Sequence, residues 1–214
     1  MVTGTLRADA ARNRSALIRA AKTEFADRGL DAPLDDIARR AGLGNATLYR
    51  HFPTRCALLA AVFQDALGEI VAESARHLAD PDPWNGFREH LVFLCGLQAG
   101  NRALADLLVS TLTGAPELER LRGQCFHAAV QLVRRAQLSG QLRTDLRHED
   151  LVVLLMSNAG LLERTRTTAP TAWRRHLDFV LDGLVPTHAQ ATQGPGAPAV
   201  RAAMGRLAER LKIR

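Results

Sequence analysis

The chain has 214 residues, of which 47% are hydrophobic and only 5% aromatic, and its formal net charge is +6. That length allows one large domain or a small domain beside a larger one, and a core rich in Ala and Leu favours helices over strands. Three widely spaced cysteines, Cys56, Cys95 and Cys125, favour reduced thiols over a disulfide framework. The longest apolar run is too short to span a bilayer, and no signal peptide or metal-ligand spacing is evident.

The positive charge is concentrated at the two ends of the chain. Residues 1–55 hold ten Lys/Arg against six Asp/Glu, and residues 186–214 hold five against one, so each end carries +4 and the middle −2. A basic head on a near-neutral body favours a polyanionic partner such as nucleic acid. A general preference for arginine explains the composition equally well at this stage.

A short arm precedes the first predicted helix. Residues 1–11 are small and polar without a hydrophobic period, so we expect them to be disordered. Apolar side chains then recur four residues apart and predict a helix over residues 12–28, which Gly29 ends. The residues of this stripe are Leu17, Ala21 and Phe25.

Two short helices follow, with a glycine-containing turn between them. An apolar stripe predicts the first over residues 34–41, and Gly42 and Gly44 end it because glycine adopts backbone angles that other residues resist. The second, Asn45 to His51, ends before Pro53. Two short helices around a tight turn inside a basic three-helix unit indicate a helix-turn-helix, whose second helix enters the major groove of DNA.

The rest of the chain is also predicted to be helical. Thr54 is placed to cap a long helix that reaches His77, and prolines and aspartates at residues 80–83 form a hinge-like turn. Further helices are predicted over residues 84–97, 102–112, 116–139, 148–164 and 170–184. A linker rich in Ala, Gln, Gly and Pro over residues 186–198 leads to a short basic amphipathic helix.

Three sequence features of the predicted head occur together: Ala41-Gly42, Thr47-Leu48-Tyr49 and His51-Phe52. Upstream, Ala20-Ala21 and the run Phe25-Ala26-Asp27-Arg28-Gly29 fit the same pattern. With these residues the chain resembles the TetR (tetracycline-repressor-like) family. The resemblance implies an all-α dimer, with an N-terminal three-helix helix-turn-helix DNA-binding domain and a C-terminal helical domain for effector binding and dimerisation.

The same resemblance divides the chain and names its DNA contacts. It implies a DNA-binding domain over residues 12–55 and an effector-binding and dimerisation domain over 56–185. The composition adds the disordered arm over residues 1–11 and a linker with a basic tail over 186–214. The residues expected to meet the operator are Asn45, Ala46, Thr47, Tyr49, Arg50, His51, Thr54 and Arg55. Asn45, Thr47 and Arg50 suit base edges, whereas Tyr49, Thr54 and Arg55 suit phosphates. A packed core position for Tyr49 and a solvated helix end for His51 are the alternatives.

Polar residues within the apolar body helices are the candidates for ligand binding. They are Cys95, Gln98, His127, Gln131 and Asn158, although a satisfied or surface side chain is the simpler explanation for each. Because ligand pockets are mostly apolar, we expect a lipophilic or aromatic small molecule. The helices over residues 148–164 and 170–184 suit a four-helix dimer seam, with an intramolecular core as the alternative.

These observations predict a cytoplasmic, ligand-responsive transcriptional regulator without a cofactor. We expect a repressor that binds a near-palindromic double-stranded DNA operator as a homodimer and is released by a small apolar effector. An enzyme is not expected, because the sequence has no nucleophile elbow, phosphate loop or metal spacing. A transcriptional activator and a sequence-indifferent DNA-architectural protein stay open, although the net charge of the body argues against the second. The basic tail helix can rest on the body, on DNA or on a membrane surface.

Overall fold

A computed structural model describes residues 2–111, 115–188 and 194–212, and within them the chain forms ten α-helices, one 3-10 turn and no strand. The prediction of an all-α fold is confirmed. The helices are α1 (Val2–Arg28), α2 (Leu34–Arg40), α3 (Asn45–His51), α4 (Arg55–Leu78), α5 (Pro83–Gly100), α6 (Arg102–Leu108), α7 (Pro116–Leu138), α8 (His148–Thr165), α9 (Ala172–Gly183) and α10 (Ala197–Lys212). The 3-10 turn spans Pro186–His188.

The first helix is longer than the sequence predicted. α1 begins at Val2, so the expectation of a disordered arm is wrong for residues 2–11, and Met1 lies outside the described residues. Apart from Gly4, these residues include no strong helix breaker, and Ala10 and Ala11 are good helix formers. An apolar stripe was not needed, because extending an existing helix avoids the cost of nucleation.

The head is a three-helix unit with its own buried side chains. Phe25 of α1, Ile37 of α2 and Leu48 of α3 are almost completely buried, as is Phe52 directly after α3. Gly29 ends α1 with a φ of +81°, a left-handed conformation that glycine adopts at little cost. The helix boundaries predicted here from Gly29 and Pro53 are confirmed.

The long helix α4 joins the head to the body. Thr54 caps it as predicted, because its Oγ1 accepts a hydrogen bond from the backbone N–H of Ala57 at 3.1 Å. α4 packs against α1 at one end and along α7 and α5 over the rest of its length. Its buried residues belong to one apolar core that continues from the head into the body. A shift of α4 therefore affects both halves.

The tail helix α10 rests on the body. It packs against α8, and Val200 on its inner face is buried. The backbone N–H of Thr111 also donates a hydrogen bond to the carbonyl of Met204 at 3.2 Å. Residues 189–193 of the predicted linker lie outside the described residues. Within the part of the chain that the structure describes, no helix is long and apolar enough to span a membrane.

The outward faces of α8 and α9 carry apolar side chains. These two helices pack against each other, and α8 also packs against α5. Val153 on α8 is 40% exposed, and Phe179 on α9 is 59% exposed. A single chain thus leaves part of this apolar surface in contact with water.

Candidate nucleic-acid interface and internal cavity

The helix α3 presents its outer face to solvent. Asn45, Ala46 and Arg50 are exposed, and the ring of Tyr49 is 47% exposed. The opposite face is fixed by the buried side chain of Leu48. Thr47 and His51 are partly buried at the two edges. Six of the residues predicted to meet DNA therefore lie on one short helix, and its first turn is accessible to a duplex.

The turn before α3 depends on one glycine rather than two. Gly42 has a φ of +69°, and its N–H donates to the carbonyl of Arg39 at 3.0 Å. Gly44 precedes α3 with a φ of −80° and a ψ of 155°, an extended conformation that other residues also adopt. The prediction that the turn requires glycine angles thus holds for Gly42 and is wrong for Gly44.

Two of the predicted DNA contacts at this surface already have protein partners. The side-chain N–H of Asn45 donates to the Asp35 carboxylate at 2.8 Å, which ties the start of α3 to α2. Thr54 is exposed while its hydroxyl oxygen caps α4. Each side chain can still offer a second hydrogen bond, because an amide has two N–H donors and a hydroxyl both donates and accepts.

The guanidinium of Arg55 points inward. Its Nη1 donates to the backbone carbonyls of Leu30 and Ala32 at 2.9 and 2.8 Å, and this fixes the loop between α1 and α2. These bonds do not support the predicted phosphate contact by Arg55. We assign this residue to the architecture of the head rather than to its outer surface.

Two other arginines of the head form ion pairs within it. Nε of Arg40 donates to the buried carboxylate of Glu24 at 2.6 Å, and Arg39 pairs with Asp36. A guanidinium held by a carboxylate is less available to a phosphate.

A cavity of about 120 Å³ lies inside the body. Six helices line it, and one lining residue from each defines the cavity here: Ile70, Phe87, Leu107, Phe126, Leu151 and Met204. Met204 belongs to the tail helix α10, which closes one side. The wall is predominantly apolar, as expected for a small-molecule site.

A few polar side chains also line the cavity, among them His90 on α5 and Arg122 and Cys125 on α7. His90 is only 3% exposed, and burial, followed by the nearby charge of His77, lowers its pKa to about 4. Burial raises the pKa of the Cys125 thiol to about 11. Both groups are therefore uncharged at neutral pH. Burial also lowers the pKa of the Arg122 guanidinium, which nevertheless stays protonated because its starting value is so high.

The five ligand-binding residues predicted from the sequence do not line this cavity. Gln98 and Asn158 instead form a buried pair: the amide N–H of Asn158 donates to Oε1 of Gln98 at 2.7 Å, and Gln98 donates to the carbonyl of Leu155 at 3.1 Å. This pair ties α5 to α8. Cys95 is buried in the core, and burial raises the pKa of its thiol to about 12. His127 and Gln131 are exposed on α7.

The polar residues that line the cavity were not predicted from the sequence. Arg122 follows Leu118 by four residues, and His90 follows Phe87 by three and precedes Leu94 by four. Both therefore interrupt an apolar stripe on one face of a helix. An ionisable residue within an apolar stripe is the sequence signal by which both residues could have been found.

Comparisons with known proteins agree with these features. A family model described as "Bacterial regulatory proteins, tetR family" matches residues 17–62. A second, described as "Transcriptional regulator SbtR-like, C-terminal domain", matches residues 82–186. A comparison with curated proteins found no significant match.

Solved structures include a TetR regulator at 32% identity and more distant proteins with the same fold. The chain is 32% identical to the TetR transcriptional regulator SCO0520 from Streptomyces coelicolor, with 81% of this chain and 99% of that one covered and a TM-score of 0.51. FadR from Bacillus subtilis, solved with stearoyl-CoA, is 16% identical over 82% of this chain and 99% of that one, with a TM-score of 0.62. RolR, solved with resorcinol, is 21% identical over 94% of this chain and 96% of that one, with a TM-score of 0.53.

Proposed function

Because the chain belongs to the TetR family of bacterial transcriptional regulators, we propose that it is a repressor that binds a near-palindromic operator as a homodimer and is released by a small molecule in the cavity. The observation that carries this proposal is the combination of an exposed α3 with an apolar cavity in one continuous core. The exposed helix α3 can contact DNA, and the cavity can hold an effector.

The DNA contacts of this proposal come from α3 and the start of α4. Arg50 suits a guanine edge, Asn45 an adenine edge and Thr47 a thymine methyl group or a phosphate. Tyr49, His51 and Thr54 contact phosphates and set the register of the protein on the duplex. Ala46 is exposed on the same face of α3 and is included as a groove contact. Arg55 is left out because its guanidinium binds the loop before α2.

Dimerisation is proposed through the outward faces of α8 and α9. The exposed side chains of Val153 and Phe179 support this, because large apolar groups on two adjacent helices gain most when a second copy covers them. Two helices from each copy then form the four-helix seam that the sequence predicted. The two copies of α3 lie about 34–36 Å apart, one turn of DNA.

The effector acts by favouring the conformer that does not fit DNA. Leu67 and Ile70 of α4 and Leu107 and Leu108 of α6 line the cavity, so a ligand touches both helices. Both helices also contact the head. A small change at the cavity is therefore passed to the spacing of the two recognition helices.

The cavity volume favours a compact effector. An empty apolar cavity of about 150 Å³ is known to hold one benzene ring, and the cavity here is of similar size at about 120 Å³. RolR and FadR were solved with resorcinol and stearoyl-CoA, respectively. Of these two kinds of ligand, only the single ring suits the volume without a large rearrangement.

Genomic footprinting with the purified protein tests the proposal. We expect a small number of protected, near-palindromic sites, and we expect Arg50→Ala to lose them while Arg39→Ala, whose arginine is already paired with Asp36, keeps them. Protection spread evenly over the genome would instead indicate a sequence-indifferent architectural protein and would overturn the proposal.

A further inference from the structure

The cavity wall includes an arginine, Arg122, with one buried guanidinium nitrogen that lacks a hydrogen-bond partner. Nη1 of Arg122 is inaccessible to solvent and has no such partner among the residues that the structure describes. No Asp or Glu is among the described residues that line the cavity. Burying a charged nitrogen without a hydrogen bond costs free energy, because the lost hydration is not replaced. The charge of Glu119 favours the protonated guanidinium, but Glu119 is not among the residues that line the cavity. The position is therefore suited to an anion that arrives from outside the chain.

A second polar atom in the same wall also lacks a partner. His90 lines the cavity from α5, and its Nδ1 is buried without a hydrogen-bond partner in the described part of the chain. Its ring lies 5.6 Å from that of His77, centre to centre. A neutral imidazole offers one N–H donor and one acceptor and adds no charge. Arg122 and His90 together can hold a charged group and its hydrogen bonds.

The other residues of the cavity wall limit the charge and the size of the anion that pairs with Arg122. Arg122 is the one Arg or Lys among the described lining residues, which matches a single negative charge better than a dianion. Around it stand Leu91, Leu94, Phe126 and Leu151, which suit an apolar body. The volume of about 120 Å³ limits that body to the size of a ring.

We propose that the cavity binds a ring-sized monocarboxylate, whose carboxylate pairs with Arg122 and hydrogen-bonds to His90 while its apolar body fills the rest. This inference rests on the proposed function, because it takes the cavity to be the effector site. It changes the expectation of a purely lipophilic ligand: the anchor is a charge-assisted hydrogen bond, which is stronger than a neutral one.

Calorimetry with matched probes tests the charge directly. The wild-type protein is titrated with benzoate and benzamide, and with phenylacetate and phenylacetamide, pairs that differ in charge at nearly constant shape. We expect each carboxylate to bind at least about tenfold more tightly than its amide. Equal affinities within the pairs, or no binding by any of the four probes, would overturn the inference.

Variants then identify the residue responsible. Arg122→Gln is expected to remove the preference for carboxylates and to leave amide binding within about threefold. Arg120→Gln is the matched control, because Arg120 lies on the same helix but is exposed and pairs with Glu117 at 2.6 Å. Its preference should equal that of the wild type. A preference that survives in Arg122→Gln contradicts the assignment.

The thermal stability of the unliganded protein provides a second readout. Arg122→Met removes the buried nitrogen that lacks a hydrogen bond and keeps an unbranched apolar chain, so its Tm is expected to equal or exceed that of the wild type. A fall of Tm by more than about 4 °C would show instead that Arg122 stabilises the fold through its own contacts, and this would overturn the inference.

Failure of the proposed function gives a different result. A carboxylate that binds with the expected preference but leaves the affinity for operator DNA unchanged contradicts the effector role and keeps the ligand class. A neutral compound that releases the DNA, with no preference for carboxylates, contradicts the ligand class and keeps the effector role.

Discussion

The carboxylate of Asp106 on α6 accepts a hydrogen bond from the backbone N–H of Leu30 at 3.0 Å, and this bond joins the body to the loop that follows α1. Gly29 lies beside it, and a side chain there would collide with the carboxylate. Burial raises the pKa of Asp106, while the bond from Leu30 opposes that shift. The next two residues, Leu107 and Leu108, line the cavity. The bond therefore lies between the cavity and the three-helix head.

Replacing Asp106 by Ala is expected to lower the free energy of unfolding by about 1–2 kcal/mol, because it leaves the N–H of Leu30 without a partner. Amide hydrogen exchange at Leu30 should also become faster. Urea unfolding followed by circular dichroism and exchange measured by NMR check the two effects. Asp106→Asn keeps an acceptor oxygen and serves as the control. Wild-type exchange at Leu30 in Asp106→Ala would contradict the role given to this bond.

The local features of the head could be predicted from the sequence, and the cavity could not. Gly29 and Pro53 mark helix ends through their own backbone preferences, which do not depend on distant residues. The roles of Gln98 and Arg122 depend on which helix faces which, and one sequence does not give that. Gln98 looked like a ligand anchor and instead binds Asn158 sixty residues away. The inward hydrogen bonds of Arg55 to Leu30 and Ala32 also depend on the packing of the head, which one sequence does not give.

The proposed dimer seam predicts that Phe179→Glu yields a monomer. A carboxylate at this position on α9 would lose the apolar contact with the partner and would be desolvated, at a cost of several kcal/mol. The guanidinium of Arg175, which lies 4.2 Å from the centre of the Phe179 ring, offsets only part of this cost. Analytical ultracentrifugation measures the outcome. Leu138→Glu is the control, because Leu138 at the end of α7 is 78% exposed and lies outside the seam. A dimeric Phe179→Glu protein, or a monomeric Leu138→Glu protein, would contradict the proposed interface.

Removal of the tail helix α10 is expected to weaken ligand binding and to leave DNA binding unchanged. A chain that ends at Pro186 lacks Met204, which closes one side of the cavity, so bound ligand is exposed to water. We expect benzoate to bind at least about tenfold more weakly, since losing the burial of one or two methylene-sized groups costs about 1–2 kcal/mol. DNA affinity and its salt dependence should not change. A reduced salt slope would show that the basic tail contacts DNA.

Acid should destabilise the protein through His90. The folded state takes up this proton only at a pKa of about 4, compared with an ordinary value of 6.5. The unfolded chain therefore binds more protons between these values, so the contribution is complete above about pH 6.5 and is lost as the pH falls towards 4. Between pH 7 and pH 5 the loss is about 2 kcal/mol.

Urea unfolding of the wild type and of His90→Gln at both pH values isolates this contribution. The difference in free energy of unfolding between wild type and His90→Gln should be about 2 kcal/mol smaller at pH 5 than at pH 7. His127→Gln, which changes an exposed histidine on α7, is the control and should follow the wild type. The charged and titratable groups that share the cavity wall or ring contact with His90 are His77, Arg122, Cys125 and His148. A constant difference between wild type and His90→Gln would contradict the assignment.

In the proposed complex, two copies of α3 occupy successive major grooves of one duplex. Fluorescence anisotropy with a footprinted operator tests it, when the half-sites are compared at their natural spacing and with five base pairs inserted between them. The insertion turns one half-site by about half a helical turn, since a full turn takes about 10–10.5 base pairs. We expect the affinity for the lengthened operator to fall to the level of random DNA. Unchanged affinity for the lengthened operator would contradict it.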